Sequence, residues 1–182
     1  MADTVRLDFV PHLPAWGVRA QRDMARIRQA LGVACHAVHH VGSTAVPGLA
    51  AVPIVDLVAA LHSLAALEAA RLRLMVHGFR PALVPASGPA SGTARPTYHA
   101  TDIVSRQVQV ELTCFAAGDR EMARLVALFA YLRAHPPVAQ AYEAAKRAAR
   151  TRHSDPHAYD AAKHAWLGQH LDAALAFDRT AA

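Results

Sequence analysis

A turn-rich segment and a carboxylate that follows it are the residues of this chain best placed to do chemistry. Gly42-Ser43-Thr44 comes directly after an apolar stretch typical of a buried strand. A glycine lets the backbone approach a ligand closely, and backbone N–H groups together with hydroxyls can hold an anion. Asp56 lies within a second apolar stretch, where an ionised carboxylate is unfavourable unless paired or metal-bound. The pattern indicates metal-assisted phosphoryl chemistry; a simple turn and an Asp56–arginine pair is the alternative.

The lysines are a second feature with a chemical implication. Of the 19 basic residues only Lys146 and Lys163 are lysines, and all the others are arginines. A lysine presents a compact ammonium group, which the planar guanidinium of arginine does not replace at every site. The two lysines are therefore candidates for positions that require an ammonium group, with chance as the alternative.

The composition is that of a domain with a sizeable hydrophobic core. The chain has 182 residues, of which 53% are hydrophobic and 18% are charged. These values exclude intrinsic disorder, a collagen-like repeat and a coiled coil. The two cysteines, Cys35 and Cys114, lack the spacing of a disulfide framework or a zinc ribbon, and Cys114 is expected in the core.

Charge and hydropathy narrow the classes of partner. The net charge of +5 is modest and aromatic residues are scarce at 6%, so an anionic small molecule is favoured over nucleic acid. The longest apolar stretch, 50–67, is interrupted by Asp56 and His62 and is not expected to span a membrane. The N-terminal residues do not have the pattern of a signal peptide. We therefore expect a cytoplasmic protein with no membrane partner.

The hydrophobic periodicity predicts strands and helices in alternation, followed by helices alone. Strands are predicted at 5–9, 33–41, 52–60, 98–104 and 107–115. Helices are predicted at 14–31, 63–76, 119–134, 137–152 and 155–177. The low-complexity segment 85–92 is expected to be a connection or a lid. The order predicts an α/β (α+β) core over 1–118 and a C-terminal helical cap over 119–182, packed as a single compact unit.

The last predicted strand offers a second carboxylate. Alternation places Val108, Val110 and Leu112 on one face of the strand and Gln109, Glu111 and Thr113 on the other. If this strand lies beside that of Asp56, the two carboxylates can share a metal ion. An exposed strand face is the alternative, and Asp102 is a weaker candidate.

The histidines and the Tyr-x-x-x-Lys motif are further candidates for a functional site. His36 and His40 share one face of their strand, but a zinc site there lacks a third ligand. We expect His40 to hydrogen-bond near the Gly-Ser turn, and His36 and His39 to be structural or exposed. His99 is expected to line the cleft. Tyr-x-x-x-Lys occurs twice, but no Gly-x-Gly-x-x-Gly follows a strand, so a dinucleotide-dependent dehydrogenase is disfavoured.

The segment 40–57, HVGSTAVPGLAAVPIVDL, resembles the signature of the GrpB family, which reads roughly HIGSTAVPGLAAKPIIDI. Other segments resemble further parts of the family pattern: LDFVPHLPAW at 7–16, YLRAHP at 131–136, and the Tyr-x-x-x-Lys elements at 142–146 and 159–163. The resemblance extends over about residues 5–170 and includes both lysines.

The resemblance implies a nucleotidyltransferase-like mixed β-sheet with flanking helices. By this resemblance, Gly42 and Ser43 hold a nucleoside triphosphate and Asp56 binds Mg²⁺. With Thr44 and His40 near the phosphate and Glu111 as a second acid, the expected ligand is a nucleotide or another anionic small molecule. Three cations from the helical cap are expected to neutralise its charge, namely Arg133, Lys146 and Lys163.

The chain also departs from the family pattern. Val52 replaces the usual lysine, Val58 stands where active nucleotidyltransferases commonly carry a second acid, and Gln109 and Glu111 stand near the usual His-x-His pair. Leu128-Phe129-Ala130 lacks the arginine and aspartate of the family helix. A Mg²⁺-dependent transferase is the first hypothesis, and a catalytically degenerate ligand-binding or interaction module is the second. Nucleic-acid binding, with a steep salt dependence, is a third.

Overall fold

A computed structural model describes residues 8–82, 95–105 and 107–181. In these ranges the chain forms helices and strands in the following order: α1 (Ala15–Leu31), β1 (Cys35–Val41), β2 (Val55–Leu61), α2 (Ala65–Val76), β3 (Arg80–Pro81), β4 (Thr97–Thr101), β5 (Val108–Ala116), α3 (Arg120–Ala134), α4 (Pro136–Arg152), α5 (Pro156–Gln169) and α6 (Leu171–Ala181). Short 3-10 turns follow α1 and β1.

The strands form one mixed five-stranded sheet with the order β1-β2-β5-β4-β3. β2 and β5 are parallel, whereas β1 pairs antiparallel with β2, β4 with β5, and β3 with β4. The parallel pair sets Asp56 directly opposite Glu111. The mixed α/β class is thereby confirmed. The two strands that carry the acids are neighbours, which meets the condition for a shared metal ion.

One face of the sheet packs on α1 and α2 and forms the first hydrophobic core. On β5 this face carries Val110 and Leu112, which are fully buried, as the alternation predicts. β2 contributes Leu57 and Ala59, and Ile27 of α1 packs against them. Cys114 belongs to the same core, where burial raises the pKa of its thiol to about 12.

The opposite face packs on the C-terminal helices and forms the second core. Val58 and Phe115 from the sheet meet Phe129, Tyr142 and Leu167 from α3, α4 and α5. Asp119 caps the start of α3 by accepting hydrogen bonds from the backbone N–H groups of its first turn. The division at residue 118 coincides with the turn between β5 and α3, and it stays a prediction.

Several element predictions need correction. The helix predicted over 155–177 is two helices, because the backbone turns at His170 between α5 and α6. β2 begins at Val55 rather than at 52. Of the strand predicted at 5–9, residues 5–7 lie outside the described residues; Val10 forms an isolated bridge with Ala51 instead. The segment 85–92 lies outside the described residues. Among the helices of the described ranges, none has the length and apolar character needed to cross a membrane.

Candidate functional site

A cavity of about 370 Å³ lies where the turn after β1, the start of β2, the middle of β5 and helix α5 meet. Its floor is the sheet face that carries Asp56 and Glu111, and its roof comes from α3, α4 and α5. The polar part of its lining consists of Gly42, Ser43, Asp56, Glu111, Thr113, Tyr142, Asp160, Lys163 and His164. A smaller cavity of about 160 Å³ shares several of these residues and adds Phe9, Thr44, Val52 and Tyr159.

Gly42 is required by the close approach of Asp56 to the turn. Its φ of +75° lies in the region that favours glycine. A Cβ at this position would lie 2.0 Å from Oδ2 of Asp56, which is far inside van der Waals contact. The Asp56 carboxylate therefore packs directly against the turn, because Gly42 has no side chain.

Asp56 is held in an environment that disfavours its charged form. Burial raises its pKa from 3.8 to about 7, and the neighbouring Glu111 carboxylate adds to the effect. Lys163 acts in the opposite direction. The cation that lowers the pKa of Asp56 is thus a lysine, and the carboxyl group can change protonation near neutral pH.

Glu111 connects Asp56 to the next strand of the sheet. Its Oε2 atom lies 3.0 Å from Nε2 of His99, which stands opposite it on β4. His99 is in turn paired with Arg80 on β3. Asp56, Glu111, His99 and Arg80 therefore form one lateral row across four strands, with the acids at the cavity and the basic groups beside them.

Lys163 brings a buried cation to the cavity from α5. Its Nζ donates to Oδ1 of Asp160 at 2.8 Å and lies 5.1 Å from the centre of the Tyr159 ring. Burial alone would lower the pKa of Lys163, but Tyr142 and Asp160 outweigh it, and the pKa is raised. The ammonium group therefore stays charged inside the cavity.

Lys146 contacts the turn from the side of α4. It is 2% exposed, and its Nζ donates to Oγ of Ser43 at 3.1 Å and to the carbonyl oxygen of Ala50. Nζ also lies 5.3 Å from the centre of the Phe9 ring and 5.2 Å from that of Tyr142. Burial lowers the pKa of Lys146 to about 8, although Glu143 opposes the shift.

Glu143 is a residue of the site that sequence reasoning missed. One of its carboxylate oxygens accepts a hydrogen bond of 2.8 Å from the backbone N–H of Ala50, the residue whose carbonyl accepts from Lys146. The other oxygen accepts from Arg147 at 2.7 Å. One turn of α4 thus holds both polar groups of Ala50 and fixes the segment between the Gly-Ser turn and β2. The only sequence signal was its place inside a Tyr-x-x-x-Lys element.

The structure places His40 and Arg133 away from the main cavity. His40 shares the sheet face of Val38, opposite to Asp56, and its Nε2 lies 3.0 Å from Oγ1 of Thr44. Burial lowers the pKa of His40 to about 4, and Arg133 adds to this. Arg133 donates to the His40 carbonyl at 3.5 Å and lines a separate cavity of about 160 Å³.

The remaining candidates lie elsewhere. The His36 ring packs against His62 with centroids 5.1 Å apart, and Asp102 accepts hydrogen bonds from Val104 and Ser105 in an exposed turn. Over the described stretches of the chain, no three His, Cys, Asp or Glu side chains are grouped closely enough to hold a metal ion among themselves.

Comparison with protein families shows which family the chain belongs to. The model of the family described as GrpB protein matches residues 6–173. This chain belongs to the GrpB family. A crystal structure of the conserved protein GrpB from Enterococcus faecalis matches with a TM-score of 0.73, at 22% identity, over 91% of this chain and 98% of that one, and so shares its fold.

Two curated proteins are similar in sequence to this GrpB chain. UPF0157 protein YqkA of Bacillus subtilis (strain 168) is 25% identical over 163 residues, which are 89% of this chain and 45% of the relative. UPF0157 protein PA4798 of Pseudomonas aeruginosa is 45% identical over 56 residues, which are 31% of this chain and 23% of the relative. The GrpB chain therefore spans less than half the length of either relative.

The two valines that the sequence analysis noted, Val52 and Val58, both face these cavities. Val58, at the place of a possible second acid, lines the main cavity and is 3% exposed within the second core. Val52, at the place of the family lysine, lines the smaller cavity. A valine thus stands among the polar groups of each cavity.

Proposed function

We propose that this GrpB protein binds a nucleotide or another phosphorylated small molecule, with the phosphate at the Gly42–Ser43 turn, and that it transfers a nucleotidyl or phosphoryl group with Mg²⁺. The observation that carries the proposal is the convergence of Gly42, Asp56 and Lys163 on one cavity. A tight turn, a carboxylate and a buried ammonium group are the parts needed to hold a phosphate and a metal ion. A volume of about 370 Å³ is within the range of small-molecule sites.

Lys163 is the cation best placed to neutralise the phosphate. It lines both cavities, and its pKa is raised, so its charge is available at neutral pH. Lys146 acts through Ser43, whose hydroxyl it contacts. Arg133 contributes to the positive potential from outside the cavity.

Asp56 and Glu111 are the residues that would hold Mg²⁺. They are register partners on parallel strands, and both line the cavity. Mg²⁺ prefers oxygen ligands and commonly binds through one or two carboxylates together with substrate phosphates, so this donor set fits. When bound, the ion supplies charge stabilisation at the transferring phosphate. Asp56 must be ionised to bind it, and its pKa of about 7 allows this at neutral pH.

A second candidate function is ligand binding without catalysis. Val58 supports it, because the position of a possible second acid is occupied by an apolar residue packed in the core. In this case Asp56 and Glu111 would still select a ligand, but the site would hold the metal ion less tightly.

Thermal-shift titrations with nucleoside triphosphates test the proposal, with and without Mg²⁺, on the wild type and on Asp56→Asn. A ligand that binds only the folded protein adds about 2.7 kcal/mol at a hundredfold excess over Kd. We expect a Mg²⁺-dependent shift in the wild type that is lost in the variant. A shift that is independent of both Mg²⁺ and Asp56 would support binding without catalysis, and no shift with any triphosphate would contradict a nucleotide site.

A further inference from the structure

The contact between Ser43 and Lys146 places a serine hydroxyl beside a possible base, which phosphate binding alone does not require. Nζ of Lys146 donates to Oγ of Ser43 at 3.1 Å, and its second partner is the Ala50 carbonyl. The Ser43 hydroxyl also acts on Tyr142, whose pKa it lowers against the larger effect of burial. A serine in contact with a base that a third group orients is the arrangement of an activated nucleophile.

We propose that Ser43 and Lys146 form a nucleophile–base pair, through which Ser43 accepts a phosphoryl group from a phosphoric anhydride. The inference deepens the proposed function, since it assigns a covalent step to the turn that holds the phosphate. Ser43 lines both cavities, so its hydroxyl is at the place where the phosphate is expected.

The step balances with the groups at the site. The Ser43 oxygen attacks phosphorus and forms a new P–O bond, while the bond from phosphorus to the leaving phosphate or diphosphate breaks. The leaving group departs with the electron pair. The hydroxyl proton moves to Nζ of Lys146, which must be neutral beforehand and becomes an ammonium group.

The environment of Lys146 favours a neutral amine at mildly alkaline pH. Burial lowers its pKa to about 8. The charged groups around it are Glu143 and Arg147 on its own helix and Lys163 from α5; Glu143 raises the pKa, whereas Arg147 and Lys163 lower it. The aromatic rings of Phe9 and Tyr142 also face the ammonium.

An organophosphorus fluoride, diisopropyl fluorophosphate, tests the pair without any nucleotide or metal ion. Attack on its phosphorus releases fluoride and leaves a covalent adduct that intact-protein mass spectrometry detects and peptide mapping locates. We expect one adduct on Ser43, none in Ser43→Ala, and unchanged labelling in Ser63→Ala. Ser63 is an exposed serine whose hydroxyl accepts from the backbone N–H of Ala65.

Lys146→Arg separates a base from a merely structural cation. Arginine keeps the charge and the hydrogen-bond donors but cannot be deprotonated in a protein. A positioned general base contributes roughly 10²–10⁴-fold, so we expect labelling at least about 100-fold slower in this variant. The wild-type rate should rise as pH passes through about 8, the pKa of Lys146, because only the neutral amine accepts the proton.

Three results would overturn the pair: no adduct on wild-type Ser43, equal rates in Lys146→Arg and the wild type, or a rate that does not rise with pH through this range. If Lys146→Arg fails to fold, as judged by its melting curve, the pH profile of the wild type decides. Labelling of Ser43 without any nucleotide-induced stabilisation would support the pair while contradicting the proposed ligand. Nucleotide binding without labelling of Ser43 would support the proposed ligand while contradicting the pair.

Discussion

Gly42 and Asp56 are packed so closely that a methyl group on Gly42 would lie 2.0 Å from the carboxylate oxygen Oδ2 of Asp56. The turn after β1 and the start of β2 are therefore one unit, in which the acid lies directly over the backbone of the turn. A ligand that contacts the turn also meets the carboxylate.

Gly42→Ala is expected to destabilise the protein by more than the cost of placing alanine in the backbone conformation of Gly42. With φ of +75° and ψ of 179°, Gly42 lies in a region that essentially only glycine occupies, where another residue costs about 1–3 kcal/mol. Overpacking against Asp56 adds about 1–3 kcal/mol. Gly118→Ala is the matched control, because Gly118 has a φ of +80° and no atom within 4 Å of an added Cβ. Urea unfolding of both variants measures the difference. Equal losses in the two variants would show that Asp56 moves aside freely.

The protonation of Asp56 is expected to make stability fall as pH rises. Its pKa is about 7 in the folded protein against an ordinary 3.8, so between these values the unfolded chain releases a proton that the folded protein keeps. This contribution is complete below about pH 4, declines up to about pH 7 and is constant above. Its size is on the order of a few kcal/mol.

Asp56→Asn measures this contribution, because an amide keeps the shape of the protonated carboxyl group but does not titrate. Urea unfolding gives the free energy of unfolding near pH 5 and near pH 8. Its decrease between these two pH values should be smaller in the variant than in the wild type. Parallel pH profiles of the two proteins would mean that Asp56 titrates normally.

The positions of the acids could be predicted from the sequence, whereas their partners could not. Alternation along β5 predicts that Glu111 and Val110 lie on opposite faces. In the structure Val110 lies in the first core and Glu111 lines the cavity on the other face. The same alternation separates His40 from Asp56, because β1 places Val38 and His40 on the face opposite to Asp56. The prediction that His40 hydrogen-bonds near the turn is confirmed by its contact with Thr44, and its role toward a phosphate stays a prediction.

Long-range polar contacts explain what the sequence did not reveal. Glu143 binds the backbone N–H of Ala50, 93 positions away, and a backbone partner leaves no trace in residue type. The break at His170 has only a weak sequence signal, since the one glycine near it, Gly168, lies inside the helical range of α5. By contrast, the two lysines were found through their rarity, and both reach the turn or its carboxylate.

Lys163→Gln is expected to weaken the binding of a triphosphate by roughly 10- to 100-fold, because a hydrogen bond to a charged group contributes about 1.5–3 kcal/mol. Arg147→Gln is the control: it removes a cation from the neighbouring helix whose guanidinium pairs with Glu143 and is 56% exposed. Isothermal titration calorimetry compares the two variants with the wild type. Equal affinities in all three would remove Lys163 from the binding site.

Glu143→Ala is expected to destabilise the protein by about 1–3 kcal/mol, because the backbone N–H of Ala50 loses its acceptor and Lys146 loses the carboxylate that supports its charge. Glu68→Ala is the control, since Glu68 pairs with Arg71 on the surface at 78% exposure and its removal should cost less than about 0.5 kcal/mol. Urea unfolding gives both values. With the carboxylate gone, the pKa of Lys146 should also fall below about 8, and labelling of Ser43 by diisopropyl fluorophosphate should begin at lower pH. A variant as stable as the wild type, with an unchanged labelling profile, would show that α4 does not fix the segment around Ala50.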